Sequence, residues 1–166
     1  MKFAVIGVSK CGTMSLTEYL KKKHPGCEVS RPENVYEEEK DKESQRWNEW
    51  VCCAITRNPI DRIHSCHQYW PALRSHSVQD ILEGKYHGSK NYFNVGAADL
   101  IAQSDYEYYL KKFERHHGLR VRRYRFEDLK GDPDFPHINE SDEKLEWSPK
   151  DREYVKACLS VAGITY

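Results

Sequence analysis

The sequence predicts a three-layer α/β fold, a parallel sheet flanked by helices. Three observations carry this. Residues 3–8 are apolar and run into a glycine turn that opens a helix. Residues 51–56 form a nearly continuous apolar run, as in a strand buried on both faces. Helical patterns alternate with these strand patterns, which is the order of a parallel sheet with crossover helices.

The first strand is expected at about 2–8. A helix follows from Thr13 to Lys23, with Met14, Leu16 and Leu20 apolar and Lys21–Lys23 at its end, where cations suit the helix dipole. Pro25-Gly26 stops it, and a short strand follows at about 27–30. Residues 33–50 are dense in charge and read as a solvated helix or a flap. After the strand at 51–56, Asn58 caps a helix with Pro59 in its first position and Asp61 in its first turn. Residues 74–97 read as loop with a short helix at 78–82. Residues 98–116 read as one amphipathic helix ended by Gly118. A strand is expected at about 119–126, then a Pro- and Asp-rich loop, then a last helix opened by Ser148-Pro149-x-Asp151.

The chain has 166 residues, which suits a single domain over 1–166. Lys+Arg and Asp+Glu both number 26, so no global basic field exists to hold nucleic acid. No window approaches the roughly 18 apolar residues of a membrane span, and no signal peptide is evident. The expected setting is cytoplasmic, in a bacterial, archaeal or viral context. Six cysteines show neither a C-x-x-C pair nor zinc spacing. Free buried thiols in a reducing compartment, and no metal, are the expectation.

Two stretches carry chemistry. Ser9 to Ser15 (Ser-Lys-Cys-Gly-Thr-Met-Ser) links a strand to a helix, the geometry in which N–H groups and a helix N-terminus hold phosphate. It is P-loop-like but not a nucleotide-triphosphate loop. Gly7 and Gly12 have the right spacing, yet Thr13 follows Gly12 and the lysine is Lys10, inside the loop. The second stretch runs from Arg57, at the end of a buried strand, to Ser65 on the following helix. Arg57 can fork onto a phosphate, and Ser65 adds a hydroxyl donor. Two anion sites at strand ends imply a ligand with phosphate at two positions.

At these residues the chain resembles the sulfotransferases that use 3′-phosphoadenosine 5′-phosphosulfate (PAPS), as a small member like the Golgi-type and bacterial ones. Ser9 to Leu16 resembles the family's 5′-phosphosulfate loop, P-K-S-G-T-T and an apolar residue. Arg57 to Ser65 is similar to its 3′-phosphate motif, R-[ND]-P-x-[DE]-R-x-x-S. Phe126-Glu127-Asp128-Leu129 with Asp132-Pro133, and the tail from His137 to Arg152, resemble later family segments. Ser9 stands for the usual Pro and Cys11 for the usual Ser. The Arg-Lys-Gly segment of cytosolic members has no counterpart, and the chain is shorter than most members.

The resemblance implies in-line transfer of a sulfuryl group from PAPS to a hydroxyl or amine acceptor, without metal. It implies that Lys10 is catalytic beside the leaving oxygen. It implies cofactor binding by Ser9, Lys10, Cys11, Gly12, Thr13, Met14 and Ser15 on the 5′ side, and by Arg57 and Ser65 on the 3′ side. Golgi-type members place a Glu base soon after the second strand, which points to Glu33 here, with Glu37, Glu38, His64 and His67 as rivals. Trp47, Trp50, Tyr69, Trp70 and Tyr92 can stack adenine or line an acceptor pocket, though core packing is the expectation for most. The acceptor class (small molecule, glycan, lipid or peptide) and the oligomeric state stay open. Two other readings also stay open: a small P-loop nucleotide or metabolite kinase, and a non-catalytic phosphonucleotide-binding module on the same fold.

Overall fold

In the computed structural model, residues 1–7, 10–31, 44–85, 97–138 and 145–166 are described. Four strands, β1 (Lys2–Ile6), β2 (Glu28–Ser30), β3 (Val51–Thr56) and β4 (Arg122–Arg125), form one parallel sheet in the order β2-β1-β3-β4. The helices are α1 (Thr13–Lys23), α2 (Pro59–Tyr69), α3 (Pro71–Arg74), α4 (Val78–Leu82), α5 (Ala97–Ala102), α6 (Tyr106–His117), α7 (Phe126–Leu129) and α8 (Pro149–Val161). A 3₁₀ turn at Ser44–Glu49 leads into β3.

The period of two along β1 and β3 builds three layers. Phe3, Val5, Cys53 and Ile55 face one way and pack with Leu16 and Leu20 of α1 and with Phe135. Ala4, Ile6, Cys52 and Ala54 face the other way and pack with Leu110 and Phe113 of α6 and with Val121. Burial on both faces explains why β1 and β3 read as unbroken apolar runs. β4 lies at the sheet edge and accordingly carries three exposed arginines. Burial pushes the Cys52 and Cys53 thiols up to about 11, so they are packing residues without reactive character.

The chain divides into two compact units. The first, residues 1–57 and 106–139, holds the sheet, α1, α6 and α7. The second, residues 58–105 and 140–166, holds α2–α5 and α8 around Ile60, Ile63, Val78, Trp147, Val155 and Leu159.

The expected helix over 98–116 is two helices, α5 and α6, separated by a turn at Gln103–Asp105. Ser104 Oγ donates to Leu100 O (2.9 Å), drawing that carbonyl out of helical use. The fully buried Arg62 completes the break. It donates to Leu100 O (3.0 Å), Ser104 Oγ (3.2 Å) and Gln103 Oε1 (2.7 Å). A cation at a helix C-terminus also meets the negative end of the dipole. Amphipathic spacing alone does not register such a side chain arriving from another element. The last strand is likewise shorter than 119–126, because Phe126 already begins α7.

Candidate functional site

α1 starts without a side-chain cap. Its N-cap is Gly12, at φ 96°, and no acidic residue stands in its first turn. The one-turn helices α3 and α7 also lack a side-chain cap, but α2, α4 and α8 have one. Asn58 Oδ1 accepts from Ile60 N (2.9 Å) and Asp61 N (3.4 Å) at the head of α2. Ser77 caps α4, and Ser148 with Asp151 forms a reciprocal capping box on α8. The first-turn N–H groups of a helix need an acceptor. At α1 the Gly12 cap offers no side chain for this, and the positive end of the dipole there favours an anion.

Sequence dictates this turn. Gly7 lies under α1, where a Cβ would come within 3.1 Å of Thr13 Cγ2. Gly12 faces Phe126, and a Cβ there would lie 2.7 Å from Cδ2 of that ring. Lys10, between them, has φ 66°, a left-handed conformation unusual for a residue with a side chain. Cys11 is fully buried, with its thiol 3.5 Å from the Tyr106 hydroxyl, so this residue anchors the loop to the core. Ser15 is buried too. Its Oγ accepts from Ile138 N (3.2 Å), which ties the first turn of α1 to the segment after α7.

Arg57 follows β3 and arrives at this loop. Its Nη1 donates to Lys10 O (3.3 Å), and its guanidinium lies over the Phe126 ring, 4.8 Å from the centroid. The structure therefore brings Arg57, from the second motif, to Lys10 of the first.

The segment after α7 secures α1 along its length. Tyr19 OH donates to Asp132 Oδ2 (2.9 Å), and Lys22 and Lys23 each reach Asp134 at 2.7 Å. The lysines hold the Asp134 carboxyl down at about 2. Together with Ser15–Ile138, these contacts fix the helix whose N-terminus is the candidate anion site. The sequence signal was present in Asp132-Pro133, but nothing in the spacing told which helix it served.

In the second unit, Ser65 lies half-buried on α2, past the Asn58 cap. His67 leaves the list of candidate bases. Trp147 Nε1 donates to its Nδ1 (2.9 Å), and its Nε2 meets His76 O (2.9 Å). The indole can only donate and the carbonyl can only accept, so the ring is the neutral Nε2–H tautomer with its lone pair in use. Burial also pushes its pKa down. His64 packs edge-on against Trp147 (4.8 Å) and bonds Leu145 O through Nε2. Trp47 and Trp50 pack together at the α6 face of the sheet, which fits the core expectation. Ser9, Glu33, Glu37, Glu38 and Tyr92 lie outside the described residues. Among the described residues no helix is long and apolar enough to cross a membrane, and no group of three or more His, Cys, Asp or Glu is placed to hold a metal ion.

No family model and no curated protein matches the chain. Among solved structures, its fold is similar to that of a sulfotransferase from Alicyclobacillus acidocaldarius. The TM-score is 0.65 over 96% of this chain and 91% of that one, at 17% sequence identity. The two chains share an architecture across nearly their whole lengths, and the likeness stands for fold alone.

Proposed function

We propose that the protein is a PAPS-dependent sulfotransferase acting on a hydroxyl or amine acceptor. The observation that carries the reading is the uncapped N-terminus of α1, set between Lys10 and Arg57 in a chain whose other long helices of known cap have side-chain acceptors. The similarity of fold to a bacterial sulfotransferase supports it.

The donor supplies an electrophilic sulfuryl group on a phosphate leaving group. The chain has to bind the phosphate side and neutralise charge as it grows on the leaving oxygen. The N–H groups of Gly12, Thr13, Met14 and Ser15 do the first, and the Lys10 ammonium does the second. Arg57 and Ser65 take the 3′-phosphate. Because a sulfuryl group carries one negative charge, Lys10 and the helix dipole suffice without a metal ion. Glu33 is the proposed base that receives the acceptor's proton. The chain is proposed to act as one domain on a small-molecule, glycan, lipid or peptide acceptor.

Thermal shift of the full chain with 3′-phosphoadenosine 5′-phosphate, AMP and ATP–Mg²⁺ tests the cofactor class. Selective stabilisation by the first is expected, growing with ligand concentration. Preference for ATP–Mg²⁺ would turn the reading to a kinase. Binding of the first ligand without turnover of labelled PAPS, with any acceptor class, would turn it to a binding module.

A further inference from the structure

The loop and Arg57 share one support, the ring of Phe126. This residue opens α7 directly after β4. One side of its ring fills the space in front of Gly12, where a Cβ would meet Cδ2 at 2.7 Å and Cε2 at 3.1 Å. The ring also carries the Arg57 guanidinium, 4.8 Å from the centroid. That guanidinium then reaches Lys10 O (3.3 Å). The backbone from Lys10 to Gly12 is thus met at both ends by two side chains that also touch each other. The ring itself is wedged edge-on against Phe135 (5.7 Å) and His137 (6.3 Å). Lys10 at φ 66° is the kind of conformation that persists only when its surroundings impose it.

We infer that Phe126 and Arg57 form a brace that holds Lys10–Gly12 in its anion-receiving conformation. Phe126 is then a positioning residue, and Arg57 has a second duty besides its proposed phosphate contact. The two duties are compatible. A guanidinium has five N–H donors in a rigid fork; Lys10 O takes one, and others remain for a ligand. One cation therefore ties recognition at the end of β3 to the geometry of the lysine in the loop. The ligand named in the test rests on the proposed function, whereas the brace is a property of the ligand-free chain.

Amide hydrogen exchange on the ligand-free full chain tests the brace, reading residues 10–16 with β1 and β3 as internal controls. F126L keeps apolar bulk and loses the π face; R57K keeps charge and loses the planar fork; F126Y keeps the ring. F126L and R57K should raise exchange in residues 10–16 by about tenfold, with F126Y within about twofold of the parent and the control strands unchanged. In parallel, F126L should weaken both a nucleotide bearing only the 5′-phosphate and 3′-phosphoadenosine 5′-phosphate, the latter at least as much, because the loop and the seat of Arg57 are lost together. Parent-like loop exchange in both F126L and R57K overturns the inference. So does F126Y as impaired as F126L, or exchange rising equally in β1 and β3. If the parent binds no such nucleotide, the proposed function fails while the exchange data still decide the brace.

Discussion

Gly12→Ala isolates what the loop demands of its backbone. Two costs follow from the structure. At φ 96° an L side chain is strained, by about 1–2 kcal/mol. The new Cβ would also stand 2.7 Å from Phe126 Cδ2 and 3.5 Å from Ile55 Cδ1. Phe126 cannot simply swing aside, since Phe135, His137 and the Arg57 guanidinium already contact it. Overpacking of this kind costs about 1–3 kcal/mol. The sum is roughly 2–5 kcal/mol, and at about 2–4 °C per kcal/mol for a chain of this size the midpoint should fall by roughly 4–20 °C. Thermal unfolding followed by circular dichroism reads this directly. A double-mutant cycle with Phe126→Ala separates the two costs, because the steric part vanishes without the ring while the backbone part stays. A midpoint within about 2 °C of the parent in Gly12→Ala would refute the reasoning, and additivity in the cycle would refute the steric half of it.

Three further outcomes are expected. Lys10→Ala should leave the fold intact and lower sulfuryl transfer by about 10²–10³-fold, since in the proposed mechanism it removes the charge that meets the leaving oxygen; near-normal turnover in a labelled-PAPS assay would remove Lys10 from the mechanism. Arg57→Ala should weaken 3′-phosphoadenosine 5′-phosphate by roughly 10–100-fold in titration calorimetry, and a nucleotide with only the 5′-phosphate several-fold, because Lys10 O loses its partner too. Equal affinity of parent and variant for both ligands would contradict both duties of Arg57. The Arg123 guanidinium holds the Glu114 carboxyl at about 2, below the 4.5 of a free group, and the Val121 N–H adds to the effect. The ionised form thus stabilises fully above about pH 4.5, and its contribution drains away as the pH falls toward 2. Glu114→Gln should cost about 1–2 kcal/mol at pH 7 and much less at pH 2.5, compared by urea midpoints; an unchanged gap between parent and variant at the two pH values would dismiss the α6–β4 ion pair as a stabiliser.

The sheet was legible because burial on both faces leaves a mark in composition. Val51–Thr56 appears in the structure with the bounds its apolar run suggests, and Thr13–Lys23 is bounded by a glycine turn and by Pro25-Gly26. Locally written capping was legible too: Asn58, Ser148 and Asp151 all do what their positions imply. The break between α5 and α6 was not. Its cause is Arg62, a side chain from α2 that ends α5 by taking Leu100 O, and no periodicity within 98–116 carries that information.

The site divides in the same way, and the division has a physical basis. Gly7, Lys10 and Gly12 were visible because a turn that crowds its neighbours and admits positive φ restricts residue types at fixed offsets. Arg57 was visible as a charge at the end of a buried strand. The ring that joins them was not, because Phe126 acts through shape: it excludes a Cβ at Gly12 and supports a cation from β3, and any aromatic in a helix start looks alike in sequence. The base was the hardest to read. His67 and Glu33 are both plausible proton acceptors as residue types, yet ring-nitrogen occupancy alone removes His67, whose two nitrogens are engaged by Trp147 and His76. Residue type proposes an acid or base; only its partners decide whether a lone pair is left to use. If Glu33 is the base, Glu33→Gln should abolish transfer and erase the acidic limb of the pH–rate profile while leaving nucleotide affinity as it was, since the Lys10–Gly12 loop and Arg57 hold each other without it. Transfer that survives in that variant with its acidic limb intact would move the role to another group.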